Sequence, residues 1–133
     1  MLSEARGTPL VVDVSAANTH DSTKLREMTE SIPAVRSRRG PRRRKPDKFR
    51  ADKGYDSDPH RQWLRAQKIV PRIARRGVDD PARLGRHRWK IERTIAWFTG
   101  YRRLTIRYER DGNHFLAFLQ LAAAITCYKI LPT

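Results

Sequence analysis

The stretch Lys48-Phe49-Arg50-Ala51-Asp52-Lys53-Gly54-Tyr55-Asp56 decides how the rest of the chain is read. Phe49 and Ala51 recur with a period of two, which suits one face of a strand, and Gly54 permits a sharp exit that leaves the Asp52 carboxylate at a sheet's rim. A carboxylate in that position is well placed to hold a metal ion. An aspartate just ahead of a glycine-containing turn also caps the turn as ordinary loop chemistry, and on residue types alone the cap comes first. What flanks the stretch must decide between the two.

Toward the N-terminus, the β-branched run Leu10-Val11-Val12-Asp13-Val14 predicts a strand buried on one face or both. Asn18-Thr19-His20-Asp21-Ser22 supplies helix-start residues, and Leu25, Met28 and Ile32 recur at helical spacing until Pro33. Asp21 reads as the N-cap of that helix rather than as half of a His20–Asp21 metal pair. From Val35 to Arg50 the composition turns basic around Gly40, Pro41 and Pro46, which predicts a loop (35–50) kept extended by like charges unless phosphates neutralise them. Arg42, Arg43, Arg44 and Lys45 are its candidates for contact with a DNA backbone, giving affinity rather than sequence choice. A plain solvated charge run is the alternative.

Toward the C-terminus, Asp58-Pro59 reads as N-cap and first residue of a short helix carrying Trp63 and Leu64. Ile69-Val70-Pro71-Arg72-Ile73 reads as a further strand, with its proline at an edge or an end. Two strand–helix units in succession predict an α/β fold. Arg75 to Arg86 is a second basic loop, in which Asp79 and Asp80 mark a turn or helix start. A helix is expected from about 87 to 104, with Ile91, Ile95 and Phe98 as its apolar stripe. Arg88 lies one turn before Glu92 and Arg103 three turns after it, so all three share nearly one face. An ordinary surface Arg–Glu pair, worth little, is the competing account of Glu92. The apolar segment of about 114–131 predicts a buried core helix rather than a bilayer span.

Composition narrows the function. At 133 residues the chain is about one domain long, and 29 Lys and Arg against 14 Asp and Glu give a net charge of +15, the balance of a protein that meets a polyanion. No apolar run reaches spanning length and the first residues lack the core of a secretory signal, so a membrane is the weaker partner and the cytoplasm the expected location. Cys127 is the sole cysteine, which rules out an intrachain disulfide, and the four histidines lack zinc-ligand spacing. Any metal site would therefore be built from carboxylates.

Ala51-Asp52-Lys53-Gly54-Tyr55-Asp56, Ile69-Val70-Pro71-Arg72-Ile73, Arg88-Trp89-Lys90-Ile91-Glu92-Arg93-Thr94, Tyr101-Arg102-Arg103-Leu104, Arg107-Tyr108-Glu109 and Phe115-Leu116-Ala117-Phe118, in this order and spacing, resemble bacterial insertion-sequence transposases of the DDE type, class five. The resemblance covers the chain from Gly7 onward. It implies an RNase H-like fold in which Asp52 is the second aspartate and Glu92 the glutamate of a site for two Mg²⁺ or Mn²⁺ ions. Such a pair, about 3.5–4 Å apart, activates the attacking oxygen and stabilises the leaving oxygen of an in-line phosphoryl displacement. It further implies double-stranded DNA (element ends and target) as partner, a homo-oligomer on that DNA, and DNA contacts at Arg88, Arg102 and Arg103.

Two positions depart from the family pattern: Gly85 stands where a tyrosine is usual and Thr99 where a basic residue is usual. Arg103 is the expected substitute for the latter. The family's first aspartate would fall before the position of Gly7, so the resemblance implies a partial DDE catalytic domain over 1–133, truncated at its N-terminus and joined in action by an upstream transposase segment. A non-catalytic basic DNA-binding protein, or a transposase remnant, is the competing expectation.

Overall fold

Short strands alternate with helices along the chain. In order they are β1 (Leu2–Ser3), β2 (Pro9–Val11), a 3-10 turn (Asp21–Lys24) running into α1 (Leu25–Glu30), β3 (Val35–Arg36), β4 (Arg42–Arg43), β5 (Lys48–Ala51), a second 3-10 turn (Lys53–Tyr55), α2 (Asp58–Ala66), β6 (Val70–Ile73), α3 (Pro81–Thr99), α4 (Arg102–Thr105) and α5 (Gly112–Ile130). The computed structural model describes residues 1–36, 40–75, 77 and 81–131, with the backbone alone for 81–88. The mixed α/β class agrees with the sequence reading. The chain divides into two compact units, one of Met1–Asn18 with His87–Thr133 and one of Thr19–Arg86.

The unit Thr19–Arg86 is built on the parallel pair β5–β6, in which Phe49 faces Pro71 and Ala51 faces Ile73. Parallel neighbours need a crossover, and α2 supplies it. Phe49 and Ile73 are buried while Arg50 and Arg72 are exposed, so the period of two read from the sequence holds. Leu64 and Ile69 are almost fully enclosed, and Leu25, Met28 and Ile32 are buried at the spacing expected of them.

Three local expectations for this unit change. The Ser57 hydroxyl, not Asp58, caps α2 by accepting from His60 N (3.3 Å), and Asp58 and Pro59 occupy the first turn, where a carboxylate suits the helix dipole and proline costs no hydrogen bond. His20 rather than Asp21 caps the first 3-10 turn, its Nδ1 accepting from Ser22 N (3.2 Å). The basic stretch expected as a loop contains an antiparallel hairpin, with Val35 opposite Arg43 and Arg36 opposite Arg42. Alternate residues of so short a ladder can all point to water, so like charge does not forbid pairing. Residues 37–39 of that stretch, and Asp79 and Asp80, lie outside the described residues.

In the other unit β1 and β2 pair antiparallel, and the turn between them is fastened to α3. Lys90 Nζ donates to the Ala5 carbonyl (2.7 Å), Arg93 Nη2 donates to the Arg6 carbonyl, and the buried Thr94 hydroxyl lies against the carbonyls of Gly7 and Lys90. Gly7 has φ +92°, and a Cβ there would stand 3.0 Å from the Lys90 oxygen, so glycine is needed for both backbone conformation and approach. The strand expected over Leu10–Val14 is the shorter β2. It pairs only with β1 among the described residues, which leaves Leu10 and Val11 half-buried.

Helix boundaries shift as well. The helix expected at about 87–104 begins at Pro81 and ends at Thr99, after which Tyr101 is extended and Arg103 belongs to the separate turn α4. Arg103 therefore does not share a helix face with Glu92. Among the residues of α3 whose side chains are described, Thr94 and Phe98 are buried, while Ile91 and Ile95 are 39% and 50% exposed. The helix expected at about 114–131 is α5, capped by Asp111, whose carboxylate accepts from Asn113 N (2.8 Å). It is not buried all round. Ala122 and Thr126 are enclosed and the Cys127 thiol reaches the Pro9 carbonyl of β2 (3.4 Å), whereas Leu121, Tyr128 and Ile130 are exposed. A hairpin with strands of two and three residues can cover only one side of such a helix.

Candidate active site and nucleic-acid-binding residues

Asp52 follows the last residue of β5, at the end of the parallel pair where open α/β sheets place ligand-binding side chains. It does cap the next turn: its Oδ1 accepts from Gly54 N at 2.9 Å. Gly54 is what lets the amide come so close, since a Cβ at that position would sit 3.0 Å from the same Oδ1. The cap engages one carboxylate oxygen only. Asp52 is exposed, and its Oδ2 has no hydrogen-bond partner among the described residues. The two roles read from the sequence are therefore compatible in one side chain.

The turn that carries Asp52 is pinned from beneath by a group the sequence reading passed over. The buried guanidinium of Arg61 on α2 donates to Asp56 Oδ1 through Nε (2.9 Å) and Nη2 (2.7 Å), and Nη2 also donates to the Ile73 carbonyl (2.9 Å). Ile73 is the register partner of Ala51, so one side chain ties the exit of β5 to the end of β6. Tyr55 sits in the same turn. Burial pushes its phenol above the usual 10.0, and the carboxylates of Asp21 and Asp52 add to the effect; the 3-10 turn that begins at Asp21 packs against the one that follows Asp52. An arginine five residues after an aspartate across a turn–helix border carries no periodic signal, and Asp21 looked like a local cap.

Glu92 lies on α3, is exposed, and belongs to the other unit. Arg88 precedes it by one turn of the same helix. Three residues from Glu92, the half-exposed Trp89 ring meets Arg93 at 4.9 Å, and Arg93 also lies 5.0 Å from the Trp97 ring. Among the described residues there is no group of three or more His, Cys, Asp or Glu arranged to hold a metal ion.

The basic candidates differ in how far they are engaged. Arg42, Arg43, Arg44 and Lys45 are all exposed, the first two on β4. Arg43 forms a loose pair with Asp47 (3.3 Å) and Lys45 donates to Gln67 Oε1 (2.8 Å), while Arg42 and Arg44 have no side-chain partner among the described residues. Arg102 on α4 is likewise exposed and without one. Arg103, in contrast, donates to Glu109 Oε1 at 2.7 Å.

The chain is thus mixed α/β, with a carboxylate at a strand's end, a glutamate on a late helix and a strongly basic composition. The chain belongs to the transposase DDE domain family, whose profile it matches over residues 1–127. It is 40% identical over 131 residues to a Burkholderia cepacia protein described as the candidate transposase for insertion sequence element IS402. The match takes in 98% of this chain and 62% of that relative's length. No solved structure matches the chain significantly.

Proposed function

We propose that the chain is the part of an insertion-sequence transposase that binds double-stranded DNA and supplies Asp52 and Glu92 to the metal-dependent cleavage and joining of element ends. Family membership carries this reading. Asp52 adds support, because its exposed hard-oxygen donor, half engaged by Gly54 N–H, fits a divalent ion that prefers oxygen ligands and keeps some of its water. The β5–α2–β6 unit with Asp52 at its rim suits an RNase H-like fold.

In this reading Asp52 and Glu92 hold Mg²⁺ or Mn²⁺, and the ions, when bound, supply Lewis-acid stabilisation of charge on the phosphoryl oxygens. Arg61 and Asp56 keep the Asp52 turn in place. Arg88 contacts phosphate beside Glu92, and Arg42, Arg43, Arg44, Lys45, Arg102 and Arg103 neutralise backbone phosphates, giving affinity that falls with salt. The protein acts in the cytoplasm, as a homo-oligomer on DNA, together with an upstream transposase segment that brings the remaining carboxylate. A second reading, a DNA-binding remnant that does not cut, draws on the same exposed arginines.

The test is nicking of labelled duplex DNA bearing candidate element ends with Mg²⁺ or Mn²⁺, with and without the upstream segment. Metal-dependent cleavage lost in Asp52→Ala and Glu92→Gln supports the first reading. Salt-sensitive binding without cleavage in either arm supports the second.

A further inference from the structure

The segment from Arg102 to Arg110 carries four arginines and one acid, Glu109. The Glu109 side chain is 8% exposed while the Arg103 side chain it grips is 57% exposed. Normally an acid that neutralises a surface arginine is itself at the surface. Here the carboxylate is withdrawn and the guanidinium is left outside. Glu109 Oε1 accepts from Arg103, and its Oε2 is buried with no hydrogen-bond partner among the described residues.

Flat rings fix the same arginines from the side. The Arg103 guanidinium carbon lies 5.5 Å from the Tyr108 ring centroid and 5.1 Å from that of Phe118. That of Arg107 lies 5.5 Å from Phe115, and Arg107 Nε donates to the Glu109 carbonyl at 3.1 Å. Guanidiniums set against rings and held at one edge have less rotamer freedom to lose when a ligand arrives, and both arginines are exposed. Arg102 and Arg110 flank them, both exposed.

We infer that residues 102–110 form a preorganised surface for the phosphates of duplex DNA, with Arg107 and Arg110 as contacts beyond Arg102 and Arg103 and with Glu109 as the positioning residue whose carboxylate aims Arg103. The occupant is a polyanion, here duplex DNA, because four arginines face only two acids over 102–111 in a chain whose net charge is +15. The inference rests on the DNA-binding part of the proposed function.

Charge and positioning give opposite signs for one substitution, which makes the test sharp. Binding of the whole chain to a labelled duplex is followed by fluorescence anisotropy across a KCl series, with folding checked by circular dichroism. Removing an acid from a DNA-binding protein ordinarily tightens binding. Glu109→Gln is expected instead to weaken binding several-fold at moderate salt, Glu109→Asp to recover part of the loss, and Arg107→Ala to flatten the slope of log K against log salt by about 0.9. Arg103→Lys, which keeps charge but not the fork, should weaken binding without changing that slope. Tighter or unchanged binding by Glu109→Gln, or an unchanged slope in Arg107→Ala, overturns the inference. Should Glu109→Gln not fold, the exposed Arg107→Ala and Arg103→Lys decide alone. Loss of salt-sensitive DNA binding by the unsubstituted chain would overturn the proposed function itself, whereas binding that responds to Arg42→Ala and Arg44→Ala but not to these variants overturns only the inference.

Discussion

Arg61→Ala should be among the most destabilising single substitutions in the unit Thr19–Arg86. The guanidinium is 7% exposed and its partner Asp56 18%, and the side chain makes bonds of 2.9, 2.7 and 2.9 Å to Asp56 Oδ1 and the Ile73 carbonyl. Removing one partner of a buried ion pair costs about 3–5 kcal/mol, because the other loses its charge-assisted hydrogen bonds in a low-dielectric setting. Asp56 keeps some contact with water, so the lower end, about 3 kcal/mol, applies. For a unit of this size that loss lowers the melting temperature by roughly 12–24 °C. Urea and thermal unfolding followed by far-UV circular dichroism measure it. Asp56→Asn, which keeps an acceptor for the guanidinium, should cost less, and the double replacement Arg61→Met with Asp56→Leu should recover part of the loss because neither charge is then stranded. A melting temperature for Arg61→Ala within a few degrees of the parent would refute the clamp.

Asp52→Asn retains the oxygen that accepts from Gly54 N, so stability should change by less than about 0.5 kcal/mol in urea unfolding while metal-dependent nicking is lost; large destabilisation would mean the carboxylate is mainly structural. Gly7→Ala must place a Cβ 3.0 Å from the Lys90 carbonyl at φ +92°, which should cost about 2 kcal/mol or more by the same assay. The raised phenol pKa of Tyr55 means that the unfolded chain releases its proton first, so this contribution to stability is intact below pH 10 and is lost as pH rises through the higher folded value. Urea midpoints at pH 8 and above pH 10 should differ less in Tyr55→Phe than in the parent.

Much of the frame was legible because it depends on period. The alternation about Phe49 and the spacing of Leu25, Met28 and Ile32 reflect one-sided burial, and burial is what hydrophobic pattern reports. Helix ends were less legible because they depend on single hydrogen bonds. Ser57 caps α2 one residue ahead of the more conspicuous Asp58-Pro59, and α3 starts at Pro81 inside a stretch whose arginines and Gly85 looked like loop. Helical spacing alone puts Arg103 on the face of Glu92, but α3 ends ahead of Gly100 and Arg103 is bound to Glu109 instead. The apolar character of α5 was plain, but which of its faces finds a neighbour depends on how much sheet lies against it. At the site, Asp52 could be picked from its place before Gly54, whereas Arg61 could not, since nothing local distinguishes a buried arginine from a surface one.

The most direct measurement is Mn²⁺-dependent nicking of an end-bearing duplex by the chain supplemented with the upstream transposase segment, unsubstituted and as Asp52→Asn. The account predicts cleavage by the unsubstituted protein, none by the variant, and equal DNA binding by both. Equal cleavage by the two proteins, or cleavage indifferent to metal, would contradict the assignment of Asp52 to the reaction.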